Sequence, residues 1–232
     1  MALSAGWKLT KREIMAKRFE LIVFDWDGTL MDSAAAIVTS IQAACGDLGI
    51  EPPTDERARH IIGLGLQDAL REALPDLDPS RYRELAERYR YHYLSRDHEL
   101  ALFGGAFELI RSLGEAGFLL AIATGKTRSG LDRALASSGL KPLFHASRCA
   151  DECHSKPHPQ MLLELIDEFA VAADSTLMIG DTTHDLLMAK NANVPAVAVA
   201  YGAHPRLSLE AEGPLLCAES VAEMHAWLMQ NA

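Results

Sequence analysis

The sequence lacks the features that place a protein in a membrane or in an oxidising compartment. It contains no apolar run long enough to span a bilayer, and its N-terminal segment lacks the apolar central region of a secretory signal. Its four cysteines do not suggest a disulfide framework in a chain of 232 residues. We therefore expect a reduced, cytoplasmic protein with no membrane partner.

Positive charge is scarce as well. Lys and Arg together number 22 against 32 Asp and Glu, which gives a formal net charge of -10. Such a protein repels nucleic acid and anionic membranes at long range, so we expect no nucleic-acid partner. The arginine- and tyrosine-rich segment at 81–94 is better explained as an amphipathic helix with solvated arginines. A small anionic substrate is compatible with this charge if one local site is positive.

Apolar runs typical of buried strands recur along the chain, and helical patterns separate most of them. Alternation of such runs with amphipathic helices predicts parallel strands that are covered on both faces. The predicted fold class is therefore α/β, with a Rossmann-like parallel-sheet core and right-handed crossovers. The strand candidates lie at 20–25, 118–124, 177–181 and 195–201, with weaker ones at 145–150 and 214–218.

One long stretch, from Asp32 to about Leu102, breaks this alternation because it offers helical patterns and no convincing strand. Asp32 and Ser33 precede its first helical pattern as capping residues. A crossover of this length would be unusual, so we interpret the stretch as an inserted α-helical cap domain; the alternative is a set of surface helices packed on the sheet. The predicted units are an N-terminal extension at 1–19, an α/β core at 20–32 and 103–232, and a helical cap at 33–102.

Residues able to do chemistry stand at or near the ends of the predicted strands. Ligands bind at the carboxyl edge of a parallel sheet, so residues from distant parts of the chain should meet there. Each motif alone has an ordinary explanation, such as a turn, a helix cap or a solvated lysine, but their joint occurrence favours a shared site. The candidates are Asp25 and Asp27, Thr124 and Gly125, Lys156 before a helix, and Asp181 with Asp185.

The same residues resemble the four signatures of the haloacid dehalogenase superfamily. The resemblance extends over residues 20–202, and the helical insert is similar to the small cap of the branch that contains phosphoglycolate phosphatases and β-phosphoglucomutases. The signatures are FDWDGTL (24–30), AIATG (121–125), SKPHP (155–159) and IGDTTHD (179–185), and AVAYGAH (198–204) resembles the tail of the phosphoglycolate phosphatase-like group.

This resemblance implies a phosphatase that hydrolyses a small phosphomonoester through an aspartyl-phosphate, as a monomer or a homodimer. Asp25 would be the nucleophile. Asp27, protonated before the attack, would give its proton to the leaving alkoxide. Lys156 would allow a carboxylate to approach the phosphate, and Thr124 and Gly125, with nearby backbone amides, would hold the phosphate oxygens.

Magnesium is the implied cofactor. Asp25, Asp181 and Asp185 carry one negative charge each and a phosphomonoester carries nearly two more, which is untenable without a hard cation. Ligation by oxygen alone selects Mg²⁺. The expected ligands are Asp25, the backbone carbonyl of Asp27, and Asp181, with Asp185 orienting them from behind.

Single residues weigh against some other functions. Dehalogenases of the superfamily have a non-acidic residue in place of Asp27, and phosphonatases use a cap lysine, whereas residues 33–102 contain no lysine. A phosphomutase of the β-phosphoglucomutase type keeps both aspartates and remains the alternative. A non-catalytic binding protein on the same fold is a third hypothesis, which the intact motifs disfavour.

Two further groups carry weaker signals. In the cap, Arg57, Arg59 and His60 would suit a substrate carboxylate, because arginine binds carboxylates through two donors; the alternative is that they are solvated helix residues. The second group could suggest a zinc site, but the spacing of its residues matches no standard zinc pattern. It comprises Cys149, Cys153, His154 and His158.

Overall fold

The computed structural model describes residues 17–232. Within them, a 6-stranded parallel sheet has the order β3-β2-β1-β4-β5-β6, so the predicted α/β fold class is confirmed. Most of the expected N-terminal extension lies outside the described residues, and Phe19 near its end is fully buried in an apolar cluster beside the sheet. The strands are β1 (Leu21–Phe24), β2 (Leu119–Thr124), β3 (Ala146–Cys149), β4 (Thr176–Gly180), β5 (Ala196–Val199) and β6 (Cys217–Ala218).

Helices connect the strands and cover the sheet. None of those described is both long and apolar enough to cross a lipid bilayer. They are α1 (Ala34–Asp47), α2 (Asp55–His60), α3 (Leu66–Ala73), α4 (Tyr82–Arg96), α5 (Ala106–Glu115), α6 (Arg128–Ser138), α7 (Gln160–Phe169), α8 (Thr183–Asn191), α9 (Arg206–Ala211) and α10 (Val221–Asn231).

The first strand is uniformly apolar because it is central and covered on both faces. Ile22 and Phe24 belong to an apolar cluster formed with α5, α6 and α10, whereas Leu21 and Val23 belong to a second cluster with α7 and α8. The strand pairs in parallel with β2 on one side and with β4 on the other. A strand without a solvated side shows a continuous apolar run rather than alternation.

The helices between β1 and β2 form a layer with an apolar cluster of its own. In this layer α1 packs on α4, and buried residues such as Leu85 fill the space between its helices. The two segments that join the layer to the core run side by side. The Asp32 N–H donates to the Ala101 carbonyl at 3.0 Å, and the Phe103 N–H donates to the Leu30 carbonyl at 2.9 Å. This arrangement supports the proposed division into core and cap.

The order of the strands creates a crevice beside β1. After β1 the chain forms β2 and β3 on one side, and it then crosses to β4 on the other side. In open α/β sheets, ligands bind outside the carboxyl ends of the strands at such a switch point. Asp25 is the first residue after β1, and its N–H donates to the Ile179 carbonyl of β4 at 2.9 Å. Its side chain therefore starts at the crevice.

Candidate active site

Three carboxylates meet at the crevice. Asp25 follows β1, Asp181 follows β4, and Asp185 lies in the first turn of α8. One oxygen of each lies within 4.8 Å of the others, and the three residues are almost completely buried. The structure thus brings together acids that stand far apart in the sequence.

Lys156 supplies positive charge to this group. Its ammonium donates to Asp25 Oδ1 at 2.7 Å and to Asp185 Oδ1 at 2.6 Å, and the residue is buried. Burial alone would lower the pKa of Lys156, but the charges of Asp185 and Asp25 hold this pKa above its ordinary value. Lys156 is therefore a cation in the folded protein, and it links the end of β1 to α8.

One lysine does not balance three buried carboxylates. Burial, opposed by the charge of Lys156, raises the pKa of Asp25 from 3.8 to about 7. Burial, and then the charges of Asp25 and Asp185, raises the pKa of Asp181 well above its ordinary value. Among the described residues, moreover, nothing donates a hydrogen bond to the buried Asp25 Oδ2. An all-oxygen cluster with excess negative charge and an unsatisfied oxygen fits a divalent cation such as Mg²⁺.

Backbone and hydroxyl donors hold Asp181 and Asp185 in place. Asp181 accepts hydrogen bonds from the Thr29 hydroxyl at 2.8 Å and from the Ala203 N–H at 2.7 Å. Asp185 Oδ2 accepts from the N–H and the hydroxyl of Thr182, at 3.1 and 2.7 Å, in a capping box at the start of α8. Because the other Asp185 oxygen is paired with a lysine, Asp185 suits the expected orienting role better than direct ligation.

Asp27 lies in a separate ion pair. Lys126 Nζ donates to both Asp27 oxygens at 2.9 Å and also to the Tyr93 hydroxyl of the cap at 2.9 Å. The Ser33 hydroxyl donates to Asp27 Oδ1 at 2.6 Å. These are charge-assisted hydrogen bonds to a carboxylate, whereas the expected general-acid role starts from the protonated form of Asp27.

Sequence reasoning gave neither Lys126 nor Ser33 a place in the site. A signal for Lys126 existed, since it stands two residues after Thr124 in a strand-end motif. Ser33 occupies the expected position at the start of α1, but the expectation that its side chain caps the helix is wrong. The backbone of Ser33 has φ of -118° and ψ of -7°, not the extended conformation of a capping residue, and its hydroxyl donates to Asp27.

Thr124 and Gly125 lie at the end of β2 and line a cavity of about 220 Å³ between core and cap. Thr124 is completely buried, and its hydroxyl oxygen accepts from the Lys126 N–H at 3.2 Å. A Cβ atom on Gly125 would overlap the carbonyl oxygens of Gly63 and Leu64. Glycine at this position therefore allows the cap loop to close over the end of the strand.

Hydrogen bonds hold the cap against the core beside this cavity. The Nε2–H groups of His184 and His204 both donate to the His60 carbonyl, at 2.7 and 3.0 Å. The Gly65 N–H, at the start of α3, donates to the Ser155 hydroxyl oxygen at 2.8 Å. The cap thus covers the cavity in this structure, and the loop between α2 and α3 makes the contact.

The cap residues expected to suit a substrate carboxylate lie elsewhere. Arg57, Arg59 and His60 line a different cavity, which does not include Asp25. The cap arginine that lines the cavity with Asp25 is Arg90. The specificity of the site must therefore be read from the walls of the cavity that contains Asp25.

A second group with metal-sized spacing is a histidine cluster at the cap–core contact. Nitrogens of His60, His184 and His204 lie within 4.8 Å of one another. His204 Nδ1 accepts from the Thr183 N–H at 3.1 Å while its Nε2–H donates to a carbonyl, so the neutral ring has no free lone pair for an ion. Within residues 17–232, the zinc hypothesis gains no support either, since no metal-sized group includes Cys149, Cys153, His154 or His158.

Gly28→Ala is expected to damage the carboxylate cluster. Gly28 has φ of +82°, and an added Cβ would overlap the Asp181 carboxylate. We expect Mg²⁺ affinity, measured by calorimetry, to fall at least about tenfold, as for other changes that displace a ligand's supports. Gly213→Ala is the matched control, because its φ is +73° and a Cβ there would meet nothing within 4 Å. In this control, only the strain of the left-handed backbone conformation lowers stability, by about 1–2 kcal/mol. Unchanged Mg²⁺ affinity in Gly28→Ala would contradict the placement of Asp181.

Comparisons with known proteins agree with the fold. The sequence pattern of the haloacid dehalogenase-like hydrolases matches residues 22–199. The probable phosphatase IndB of Dickeya dadantii is 37% identical over 213 residues, which cover 88% of this chain and 91% of that protein. Phosphoglycolate phosphatase of Agrobacterium fabrum is 34% identical over 193 residues, which cover 78% and 81%. The crystal structure of a hydrolase from Pseudomonas syringae has the same fold, with a TM-score of 0.80 at 24% identity over 91% of this chain and 98% of that one.

Proposed function

The chain belongs to the haloacid dehalogenase-like hydrolase family and is a phosphatase of the phosphoglycolate phosphatase-like branch, and on that premise we propose that it hydrolyses a small phosphomonoester with Mg²⁺ through an aspartyl-phosphate. One observation carries this proposal above the others. Asp25 accepts a hydrogen bond from the buried Lys156 and belongs to a cluster of three buried carboxylates whose charge this one lysine does not balance.

Mg²⁺ is the proposed cofactor, held by Asp25, the backbone carbonyl of Asp27, and Asp181, with Asp185 as the orienting acid. The size of the carboxylate cluster, the unsatisfied Asp25 Oδ2 and the raised pKa of Asp181 support the carboxylates of this set. When bound, the ion would offset the charges of carboxylates and phosphate and polarise a phosphoryl oxygen. Oxygen-only donors favour Mg²⁺ over softer transition metals.

Asp25 is the proposed nucleophile. Its carboxylate oxygen attacks phosphorus, the bond from phosphorus to the leaving oxygen breaks, and the phosphoryl group stays on Asp25. The Thr124 hydroxyl and the Gly125 backbone would hold the phosphoryl oxygens, and Lys156 offsets their charge across the buried site. Water then attacks phosphorus, which releases phosphate and restores the Asp25 carboxylate.

Asp27 is the proposed acid and base, and its ion pair with Lys126 suggests how it gains a proton. In the substrate-free structure the Lys126 ammonium lies between Asp27 and the Tyr93 hydroxyl. A phosphate offers this ammonium a partner with more negative charge. Once Lys126 turns to the phosphate, Asp27 can take up a proton, give it to the leaving alkoxide, and later accept a proton from the attacking water.

A phosphate-release assay tests the proposed reaction. With p-nitrophenyl phosphate, 2-phosphoglycolate and glucose 6-phosphate, we expect inorganic phosphate to appear with Mg²⁺, to stop with EDTA and to return when Mg²⁺ is added in excess. Failure to hydrolyse any ester, or equal rates with EDTA, would overturn the proposal. Transfer of labelled phosphate to a second sugar hydroxyl instead of water would identify a phosphomutase.

Asp27→Asn is expected to separate the two halves of the reaction. A p-nitrophenolate ion leaves without a proton, whereas an alkoxide needs one, and hydrolysis of the aspartyl-phosphate needs a base. Rapid-quench measurements should show about one equivalent of p-nitrophenolate per enzyme, followed by turnover roughly 10²–10⁴-fold below wild type. An alkyl phosphate should give no such burst.

The control for this variant is Asp32→Asn, since Asp32 is an exposed acid close by in the sequence. It should behave as wild type with both esters. If Asp27→Asn lowers the turnover rate by the same factor for both kinds of leaving group and shows no burst, Asp27 does not transfer the proton.

A further inference from the structure

The cavity that contains Asp25 has one polar end and one apolar end. Asp25, Asp27, Thr124, Gly125 and Lys126 form the polar end, where the phosphate would bind, and the core also contributes Thr127, Ser129, Gly130 and Arg133 to the lining. The cap supplies the opposite wall, and apart from Gly63 and Arg90 its lining side chains are all aliphatic or aromatic. They are Ile37, Ile41, Ile61, Ile62, Leu64, Leu66, Ala69, Tyr89, Tyr93 and Leu94.

The wall belongs to the part of the cavity that would receive the leaving group. Asp27, the proposed proton donor to that group, is linked through Lys126 to Tyr93 of the cap, with contacts of 2.9 Å on both sides. A group that leaves beside Asp27 therefore enters the space in front of the cap side chains. A single water needs only about 10–15 Å³, so a cavity of about 220 Å³ has room for a phosphate and for a leaving group much larger than two carbons.

Some of the polar groups that border this wall already have partners, whereas among residues 17–232 nothing pairs with the Arg90 guanidinium or the Tyr89 hydroxyl. Lys126 and the Tyr93 hydroxyl are bonded to each other, and Lys126 also pairs with Asp27. Arg133, on α6, lies 3.6 Å from Asp97. Buried polar groups need hydrogen-bond partners, and the isoleucine and leucine side chains that make up most of this wall offer none. A leaving group with several hydroxyls would therefore leave most of those hydroxyls unsatisfied.

Two tyrosines add aromatic side chains to the wall. The rings of Tyr89 and Tyr93 stack with centroids 5.8 Å apart and planes 28° apart, and both line the cavity. Aromatic rings and branched aliphatic side chains suit chains and rings of carbon, since contact area sets the gain from burial.

We propose that the site selects phosphomonoesters of apolar alcohols, with an alkyl or ring-bearing leaving group, over 2-phosphoglycolate and over sugar phosphates. This inference rests on the proposed phosphatase function and adds the chemical class of its substrate. The selection acts through burial of the leaving group against the cap wall, while the phosphate end treats all monoesters alike.

A series of n-alkyl phosphates tests this selection, because the leaving-group oxygen has nearly the same basicity throughout. With ethyl, butyl and hexyl phosphate and Mg²⁺, we expect kcat/KM to rise about fourfold for each methylene that becomes buried, which corresponds to the transfer free energy of a methylene group. Hexyl phosphate should then exceed both 2-phosphoglycolate and glucose 6-phosphate by at least tenfold.

Variants of the wall show whether the cap causes the increase. Leu94→Gln changes a side chain of the cavity wall that is 45% exposed, and Leu163→Gln changes one that is 48% exposed on α7, outside the cavity. We expect Leu94→Gln, and likewise Leu66→Gln, to lower kcat/KM for hexyl phosphate at least threefold more than kcat/KM for ethyl phosphate. Leu163→Gln should change neither.

The outcomes separate this inference from the function on which it rests. If ethyl phosphate is hydrolysed with Mg²⁺ but kcat/KM does not rise with chain length, or if 2-phosphoglycolate or glucose 6-phosphate exceeds hexyl phosphate, the apolar class is wrong and the phosphatase stands. An increase with chain length that Leu94→Gln and Leu66→Gln leave intact would show that the cap wall does not cause it. If no monoester is hydrolysed at all, the proposed function fails first.

Discussion

Asp25→Asn is expected to abolish turnover, with kcat lowered by about 10⁴-fold or more, as when other enzymes lose their nucleophile. The asparagine has nearly the same size, so it removes the attacking carboxylate with little change in packing. The measurement is phosphate release with Mg²⁺ over long incubation, together with trapping of phosphorylated protein by acid quench. Neither product nor phosphorylated protein should form.

Measuring the stability of this variant shows whether its loss of activity results from misfolding. Burial raises the pKa of Asp25 above its ordinary value, so without metal the wild type loses stability as pH rises from about 4 through about 7. Asparagine does not ionise, and unfolding free energy in EDTA should therefore fall less steeply with pH in Asp25→Asn. The control is Asp167→Asn, an exposed acid on α7, which should keep full activity. If Asp25→Asn turned over at the wild-type rate, the assignment of Asp25 as the nucleophile would be wrong.

Lys156→Met is expected to lower the unfolding free energy by about 3–5 kcal/mol at neutral pH, the usual cost of removing one partner of a buried ion pair. The change leaves Asp25 and Asp185 without their shared cation. Activity should be lost as well, because the phosphate would meet uncompensated carboxylates. Urea unfolding in EDTA measures the first effect and phosphate release the second.

The loss of stability in this variant should depend on pH. In the wild type the raised pKa of Lys156 keeps it charged from pH 5 to 8, so the pH dependence comes from the carboxyls. The pKa values of Asp25 and Asp181 are raised, so these residues can take up protons at pH 5. The loss of unfolding free energy caused by Lys156→Met should therefore be smaller at pH 5 than at pH 8. Lys190→Met, at a residue whose side chain is 68% exposed, is the control and should change stability little. A Lys156→Met protein as stable as wild type at pH 8 would contradict the buried charge network.

The motifs at strand ends could be found in the sequence because they depend on the composition of each strand and on the residues that directly follow it. The run from Leu21 to Phe24 is apolar at every position since β1 is covered on both faces, and a parallel strand must be followed by residues at the carboxyl edge. Asp25, Asp181 and Lys156 were therefore predictable as neighbours. Their distances and the unsatisfied Asp25 Oδ2 were not.

The surroundings of Asp27 show why the rest could not be predicted. Lys126 reaches an aspartate 99 positions earlier in the chain, and no periodic pattern links the two. Ser33 has the sequence signal of a helix cap, yet its hydroxyl bonds to Asp27. A local pattern shows neither the backbone conformation that Ser33 adopts nor that a carboxylate from the end of β1 lies within reach of its hydroxyl.

By itself, the sequence determined the α/β class, the helical insert, and the acids and the lysine that meet at one sheet edge, because strand composition and strand-end chemistry are local properties. Only the tertiary structure decided which apolar side chains of the cap face Asp25, that Arg57 and Arg59 lie elsewhere, and that Lys126 joins Asp27 to Tyr93. The reason is that the placement of cap on core results from packing and hydrogen bonds between segments far apart in the chain, which leave no period in the sequence.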